Sequence, residues 1–175
     1  MGVKMILEIE VDGILHKIET EPSKRLLDLL RDDLKIYSIK EGCGEGECGA
    51  CSVLIDGKLS TSCIVSVSAV NKKKITTLEG VKKTELFTTI EDSFARFFAS
   101  QCGFCTPGMV MAIYFAFKQL IENQDEDKDF SEEELKEYFK KSIEGNLCRC
   151  TGYNQILDAM MDIYNNIKKI KNENL

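Results

Sequence analysis

Hydrophobic and polar positions alternate along the first residues of the chain. From Met5 to Val11 every second residue is apolar, and a period of two predicts a half-buried β-strand. Asp12-Gly13 follows as a two-residue turn, and a second alternating run comes after it. Residues 4–19 are therefore predicted to form a β-hairpin.

The rest of the first half predicts one helix and three further strands. A helix is expected after Thr20 or Ser23, either of which could cap it. A second hairpin turns at Asp56-Gly57, and residues 75–78 form a last strand. Strands packed on one helix make an α+β module, which we expect to span residues 1–80. The apolar face of the helix is formed by Leu26, Leu27, Leu29, Leu30 and Leu34.

The hydrophobic period changes to that of helices in the second half of the chain. Ser131 and Glu134 form a capping box before the third of four helical segments. Antiparallel helices with short connections predict a four-helix bundle over residues 81–175, with an acidic, solvated loop at 124–130. The segments span residues 86–100, 107–121, 132–143 and 153–170.

Charge and composition narrow the classes of function. The 175 residues include 23 Lys and Arg against 29 Asp and Glu, a net charge of −6, which argues against a nucleic-acid-binding surface. No apolar run approaches the roughly 20 residues of a membrane span. The first residues lack the charged and apolar regions of a signal peptide, so a cytoplasmic location is expected.

Eight cysteines are many for a chain of this kind. Disulfides are disfavoured without secretion, so clustered cysteines indicate metal ligands or redox groups. The single histidine, His16, belongs to the first hairpin, away from every cysteine motif. It is expected to be a packed or rim residue and not a ligand.

The first cysteine set follows the spacing C-x4-C-x2-C-x11-C. Its first spacings are those of plant-type ferredoxins, in which four thiolates hold a 2Fe-2S cluster. Glycines between the cysteines permit the positive φ angles of a loop that folds back on itself, and let amide N–H groups point at the sulfur atoms. A turn at Asp56-Gly57 places Cys51 opposite Ser62, so Cys63 is predicted to return beside Cys51. The set consists of Cys43, Cys48, Cys51 and Cys63.

Two other kinds of site match parts of this loop. Gly44, Gly46 and Gly49 formally match the dinucleotide fingerprint G-x-G-x-x-G, but a strand and not a helix follows them, which argues against a Rossmann site. A tetrathiolate zinc site is a further alternative, although zinc ligands usually come as two short pairs.

The second cysteine set lies in SQCGFCTPGM and GNLCRCTGY. By spacing alone it fits zinc, an iron–sulfur cluster or a redox dithiol, although a thioredoxin-like dithiol would need a preceding strand. Thr106 with Pro107 is predicted to cap the second helix, and Thr151 or Asn154 the fourth. The N-termini of these helices share one end of the bundle, so both pairs should converge at the positive ends of two helix dipoles. The set consists of Cys102, Cys105, Cys148 and Cys150.

Three motifs, EGCGEGECGACSVLIDG, QCGFCTPGM and GNLCRCTGY, resemble in this order the small iron–sulfur subunit of the molybdenum hydroxylases. This family includes xanthine, nicotinate and carbon monoxide dehydrogenases and aldehyde oxidoreductases. The resemblance covers about residues 4–165. It implies an N-terminal β-grasp, plant-type ferredoxin domain followed by a C-terminal four-helix bundle, each holding a 2Fe-2S cluster by one cysteine set.

The resemblance also implies partners and a reaction. In the family, substrate is hydroxylated at a molybdenum–pterin centre in a large subunit. Electrons then pass through the two clusters to FAD in a medium subunit or to another acceptor. Gln101 matches the glutamine that hydrogen-bonds the pterin, and Cys150 matches a cluster ligand close to it. A purine is the substrate expected first, with nicotinate and aldehydes behind it.

The residues themselves favour a relay. With the cysteines taken as metal ligands, no nucleophile or acid–base set is left, so substrate chemistry is expected in another subunit. Two other classes compete with this interpretation, an independent electron carrier and a structural protein stapled by zinc. The second domain and Gln101 favour the subunit of a complex.

Overall fold

A small sheet forms in the first half of the computed structural model, which describes residues 3–123 and 130–173. Its strands are β1 Met5–Val11, β2 Ile14–Thr20, β3 Ser52–Ile55, β4 Lys58–Thr61 and β5 Lys74–Thr76. Their order in the sheet is β2-β1-β5-β3-β4. β1 and β5 run parallel, and the other neighbours are antiparallel.

The first predicted hairpin is confirmed. β1 and β2 are antiparallel partners, with the turn at Asp12 and Gly13. Both turn residues have positive φ angles, 52° and 87°, as a two-residue turn of this kind requires. The alternation in β1 places Leu7, Ile9 and Val11 in the core.

The leucine-rich segment after β2 differs from the regular helix predicted. Helix α1 spans only Leu26–Asp28, and a π-helical turn over Leu29–Asp33 continues it. Thr20 and Ser23 do not cap α1, which begins directly after Arg25. Because a π-helical turn is wider than an α-helical one, leucines at neighbouring positions stay on the core side. Those with no exposed surface are Leu26, Leu27, Leu29 and Leu30.

The second half contains the four long helices predicted and one short helix that was not. The predicted last strand ends two residues early, because the Thr77 hydroxyl accepts a hydrogen bond from the Glu79 N–H and caps the short helix. The capping box of Ser131 and Glu134 is confirmed. The helices are α2 Leu78–Val81, α3 Glu85–Arg96, α4 Thr106–Glu122, α5 Glu132–Ile143 and α6 Asn154–Glu173.

The four long helices enclose one apolar core. α3 contacts α4 and α6, and α5 also contacts α4 and α6. Phe117 and Phe139 meet in this core with ring centroids 5.2 Å apart. The acidic loop predicted at 124–130 lies, except for its last residue, outside the described residues. Within residues 3–123 and 130–173, no helix is both long and apolar enough to cross a membrane.

Helix α4 joins the helices to the sheet, because it packs on β3 and β4 as well. Leu54 of β3, Val81 of α2 and Met111 of α4 form a small buried cluster between the two halves. This packing places the first turn of α4 against the loop that precedes β3. The two cysteine sets therefore lie in neighbouring parts of the molecule.

Candidate metal centres

The first cysteine set lies on the loop before β3 and on the segment after β4. Gly44, Gly46 and Gly49 in this loop have φ angles of 74°, 87° and 66°. Glycine adopts this left-handed region freely, whereas a side chain would be strained there. The glycines therefore allow the loop to fold back on itself as the sequence predicted.

Cys63 lies beside Cys51, as the register of the second hairpin predicted. Ser52 pairs with Thr61, and Ser62 donates to the Cys51 carbonyl through its N–H at 3.2 Å and its hydroxyl at 2.8 Å. Both thiols are buried, and the Cys63 thiol donates a hydrogen bond to the Cys51 sulfur. These two cysteines form the inner pair of the set.

Cys43 and Cys48 form the outer pair, in which Cys43 is exposed. The Glu45 N–H donates to the Cys43 sulfur at 3.3 Å. The amides of Cys48 and Glu47 and the Cys48 thiol donate to the same sulfur. These donors, the Glu45 amide foremost, stabilise the thiolate and lower the pKa of Cys43 to about 7.

The inner pair shows the opposite effect. The pKa of Cys63 is raised to about 11, first by burial and then by the neighbouring Cys51 thiol, while the Gly46 amide acts in the other direction. Because metal ligands are thiolates, a metal held by Cys63 would displace its proton.

The second cysteine set lies just before helices α4 and α6, as predicted. Cys102 and Cys105 precede Thr106, the first residue of α4, and Cys148 and Cys150 precede α6. The Cys150 thiol donates to the Cys102 sulfur, which raises the pKa of Cys150. The Cys105 thiol donates to the Cys148 sulfur. The N-terminal ends of two helices thus bring four thiols together as two pairs.

The pKa shifts in this set run in both directions and do not simply follow the exposure of the thiols. The Phe104 amide lowers the pKa of Cys102, whereas burial raises the pKa of Cys105 to about 12. At Cys148 the largest influence is burial, which raises the pKa. The Thr151 hydroxyl, 3.1 Å from the sulfur, and nearby amides outweigh it, so the pKa of Cys148 is lowered.

The predicted cap of α4 is wrong. Cys105 and not Thr106 occupies the N-cap position, and no side chain caps the helix. The Thr106 hydroxyl instead pairs with the Ser100 hydroxyl at 2.8 Å. Before α6, the Thr151 hydroxyl accepts a hydrogen bond from the Tyr153 N–H at 3.2 Å.

The loops of the two sets approach each other backbone to backbone. A Cβ atom on Gly49 would clash with the Gly145 carbonyl, and one on Gly108 would clash with the Gly49 carbonyl. The Leu147 N–H donates to the Cys48 carbonyl at 3.0 Å. The loop of each cysteine set therefore contributes one residue to a direct hydrogen bond between the loops.

The paired thiols bear on which metal centre each set could hold. Among the residues that the structure describes, no group of three or more Cys, His, Asp or Glu side chains is placed around one metal-ion position. A 2Fe-2S cluster takes two ligands on each of its irons. Two contacting pairs with amide donors around the sulfurs fit this cluster.

Three residues that support the loops were missed in the sequence. Arg25 pairs with Glu41, at the start of the first loop, at 2.6 Å, but lies too far from that loop in sequence to suggest this contact. Asn146 and Tyr153 lie in the motif GNLCRCTGY, where polar side chains next to ligand positions were the available signal. Gln101 is exposed beside Cys102, which leaves its amide accessible to a partner.

Two protein-family models match the chain. One, described as a 2Fe-2S iron-sulfur cluster binding domain, matches residues 13–92. The other, described as a 2Fe-2S binding domain, matches residues 77–161. The matches run consecutively along the chain and overlap where α2 and α3 begin.

Several relatives match nearly end to end. The nicotinate dehydrogenase small FeS subunit of Eubacterium barkeri is 41% identical over 157 residues, which cover 90% of this chain and 93% of that protein. The 6-hydroxypseudooxynicotine dehydrogenase complex subunit beta of Paenarthrobacter nicotinovorans is 38% identical, with coverage of 90% and 92%. The xanthine dehydrogenase iron-sulfur-binding subunit of Escherichia coli O157:H7 is 35% identical, with coverage of 89% and 92%.

A solved structure has the same fold. A chain of quinoline 2-oxidoreductase from Pseudomonas putida 86 superposes with a TM-score of 0.79 at 32% sequence identity. The superposition covers 95% of this chain and 97% of that chain. Both halves of the molecule and the arrangement between them are therefore shared.

Proposed function

The chain belongs to the family of small iron–sulfur subunits of the molybdenum hydroxylases, and from this premise we propose that it relays electrons within such a complex. The donor is a molybdenum–pterin centre in a large partner subunit, and the acceptor is FAD in a medium subunit or another group. The observation that carries the proposal is the placement of two sets of four cysteines on neighbouring loops, which the hydrogen bond from the Leu147 N–H to the Cys48 carbonyl joins. A 2Fe-2S cluster bound at each set supplies one-electron transfer.

The two sets belong to two domains in this proposal. Residues 1–80 form a β-grasp ferredoxin domain, and residues 81–175 form a four-helix bundle. Separate buried clusters under the sheet and between the long helices support this division. The ferredoxin domain holds its cluster with Cys43, Cys48, Cys51 and Cys63, and the bundle holds its cluster with Cys102, Cys105, Cys148 and Cys150.

The chain's own residues set the electrostatics of both sites. Amide N–H groups of Glu45 and Phe104 donate to Cys43 and Cys102, where they stabilise negative charge on sulfur. Such donors and the burial of the inner ligands are the means by which a protein adjusts the potential of an iron–sulfur site.

The pterin-facing surface in this proposal surrounds Gln101. The Gln101 side chain is exposed. Cys102 and Cys150, which form one of the two pairs in the second set, are exposed as well. In this proposal Gln101 would hydrogen-bond the pterin of the large subunit, and Cys150 would be a cluster ligand close to it. Eight free cysteines fit the reducing cytoplasm that we propose as the location.

The proposed substrate of the complex is a purine, with nicotinate and an aldehyde as alternatives behind it. Xanthine, nicotinate and quinoline, named in the relatives and the similar structure, are all nitrogen heterocycles. Hydroxylation of the substrate belongs to the large subunit, and this chain receives the electrons that the reaction releases.

Co-purification followed by substrate reduction tests the proposal. A tagged chain is purified anaerobically from its native cells, and xanthine, nicotinate and an aldehyde are added separately. We expect a large and a medium subunit to co-elute, and one substrate to bleach the iron–sulfur absorption. A chain that elutes alone at its mass of 19.8 kDa, with clusters that only an added reductant reduces, would show an independent carrier instead.

A further inference from the structure

A backbone hydrogen bond links the loops of the two cysteine sets. The Cys48 carbonyl accepts the Leu147 N–H at 3.0 Å, and Leu147 is the residue before Cys148. The route from the Cys48 sulfur to the Cys148 sulfur therefore consists of covalent bonds and this one hydrogen bond. Electrons tunnel more readily through bonded atoms than across gaps, so this contact is a short connection between the two sites.

Asn146 fixes the loop on which this connection depends. Its side chain is buried, at 4% exposure, and its Nδ2 donates to the Gly49 carbonyl at 3.0 Å. A buried amide needs such a partner, because an unsatisfied polar group in the interior is costly. Asn146 and Leu147 thus bind two consecutive carbonyls of the first loop, those of Gly49 and Cys48.

Tyr153 holds the loop that contains Asn146 and Cys148. Its hydroxyl accepts a hydrogen bond from the Cys148 N–H at 2.9 Å and donates to the Asn146 carbonyl at 3.2 Å. Asn146 is therefore held by its backbone carbonyl to Tyr153 and by its side chain to Gly49 in the first cysteine loop.

We infer that Asn146 is a positioning residue for electron transfer between the two cysteine sites. It keeps the Cys48 carbonyl and the Leu147 N–H in contact, so that one electron passes along this route. The site in the helices loses that electron and is oxidised, and the site in the ferredoxin fold gains it and is reduced. The inference rests on the proposed function, which supplies the electron from the partner subunit, and it adds the residue that sets the rate of transfer.

A second contact between the two loops offers a competing route. The Phe104 ring lies 3.7 Å from the position of a Cβ atom on Gly42, beside Cys43. Phe104 is 49% exposed, and its ring would make van der Waals contact with a side chain at that position. A route through this ring would leave transfer unchanged in variants of Asn146.

The test compares variants of the assembled complex. Asn146→Ala removes the amide donor and its volume, and Asn146→Asp removes the donor but keeps the size. Ser52→Ala is the matched control, because the buried Ser52 hydroxyl also donates to the Gly49 carbonyl, at 2.7 Å, but from within the first loop's own strand. Pulse radiolysis with a one-electron reductant gives the rate of transfer between the sites. EPR-monitored titration gives their two potentials.

Both Asn146 variants should slow the transfer at unchanged potentials, while Ser52→Ala keeps the wild-type rate. Tunnelling slows as a hydrogen bond in the route is replaced by a wider gap, so we expect a several-fold loss of rate. Wild-type rates in both Asn146 variants, with both EPR signals at full intensity, would overturn the inference. If the wild-type complex lacks two iron–sulfur signals, the proposed function fails before any variant is compared.

A measurement on the unaltered complex covers the case of variants that do not fold. The Leu147 amide should exchange its hydrogen as slowly as the buried amides of β3, because it is bonded to the Cys48 carbonyl. Exchange of this amide at the rate of an exposed loop would overturn the inference without any substitution.

Discussion

At the scale of residues, the thiols of each cysteine set differ in their exposure to solvent. Amide donors lower the pKa of the exposed Cys43 and Cys102, while burial raises the pKa of Cys63 and Cys105. The low-pKa thiols are ready metal ligands, and the buried thiols become thiolates only when a metal displaces their protons. This division was not readable from spacing, because it depends on which ligands the fold covers.

Replacing one ligand should remove one site only. Cys148→Ser should abolish one of two EPR signals in the reduced chain and spare the other, because Cys148 lies with the second set, just before α6. Cys48→Ser is the matched variant and should abolish the other signal. Loss of both signals from a folded Cys148→Ser chain would contradict separate sites.

Gly108→Ala should lower stability although it lies in a helix. Alanine favours helix by about 1 kcal/mol over glycine, but the added Cβ would clash with the Gly49 carbonyl. Overpacking of this kind costs about 1–3 kcal/mol. The free energy of unfolding, from urea titration, measures the result. The control is Gly145→Ala, whose Cβ meets no atom within 4 Å, and an equal loss in both variants would exclude the clash as the cause.

At the scale of elements, local patterns predicted strands and long helices well. The hairpin turns and the four long helices follow from turn residues, hydrophobic period and caps that act within a few residues. The π-helical turn after α1 and the cap of α4 were mispredicted, because tertiary packing decides them. The leucines of the π turn serve a core built by distant strands, and Thr106 finds its partner in Ser100.

The candidate site could likewise be predicted only in part. Spacing gave the two cysteine sets and the return of Cys63 beside Cys51. The pairing of Cys102 with Cys150, and of Cys105 with Cys148, depends on how two helix ends meet and has no local signal. The contact of Asn146 with Gly49 joins residues from the two halves of the chain, which no local pattern encodes.

An ion-pair network links α1 to the first cysteine loop. Arg25 donates to Asp28 at 2.6 and 2.8 Å and to Glu41 at 2.6 Å, so Arg25→Gln should destabilise this loop. All three side chains are partly exposed, so the loss should be about 1 kcal/mol. The loss in the free energy of unfolding is measured by urea titration, with the absorption of the chain as the signal. Lys136→Gln removes an exposed ion pair on α5 and is the control. It should leave the unfolding transition seen by absorption unchanged.

The effect of Arg25→Gln should depend on pH. Arg25, by hydrogen bonding above all, lowers the pKa of Asp28 below its ordinary value. A lowered pKa gives stability that is present above the ordinary value of about 4 and is lost as the pH falls through the lowered one. The difference in the free energy of unfolding between the variant and the wild type should therefore become smaller below about pH 4. A difference that grows on acidification would contradict this role.

At the scale of the molecule, two apolar cores are joined by a third small cluster around Met111. Helix α4 belongs to the helical core on one side and packs on β3 and β4 on the other. This junction holds the two cysteine sets at a fixed separation, which a relay of electrons requires. The same junction should make the halves unfold together.

Met111→Ala should weaken this junction. Met111 is 1% exposed, and truncation of a buried methionine costs about 2–5 kcal/mol. Thermal unfolding followed by circular dichroism and by visible absorption should then separate into two transitions. Ile121→Ala, on the exposed part of the same helix, should keep a single transition. A single transition at the wild-type temperature in Met111→Ala would contradict the coupling.

Metal content and EPR of the chain, purified anaerobically and reduced with dithionite, test the central claim most directly. Two 2Fe-2S sites predict about four irons and four sulfides per chain, with two distinct EPR signals of one spin each. A colourless chain that contains about two zinc ions and gives no EPR signal after reduction would contradict the account.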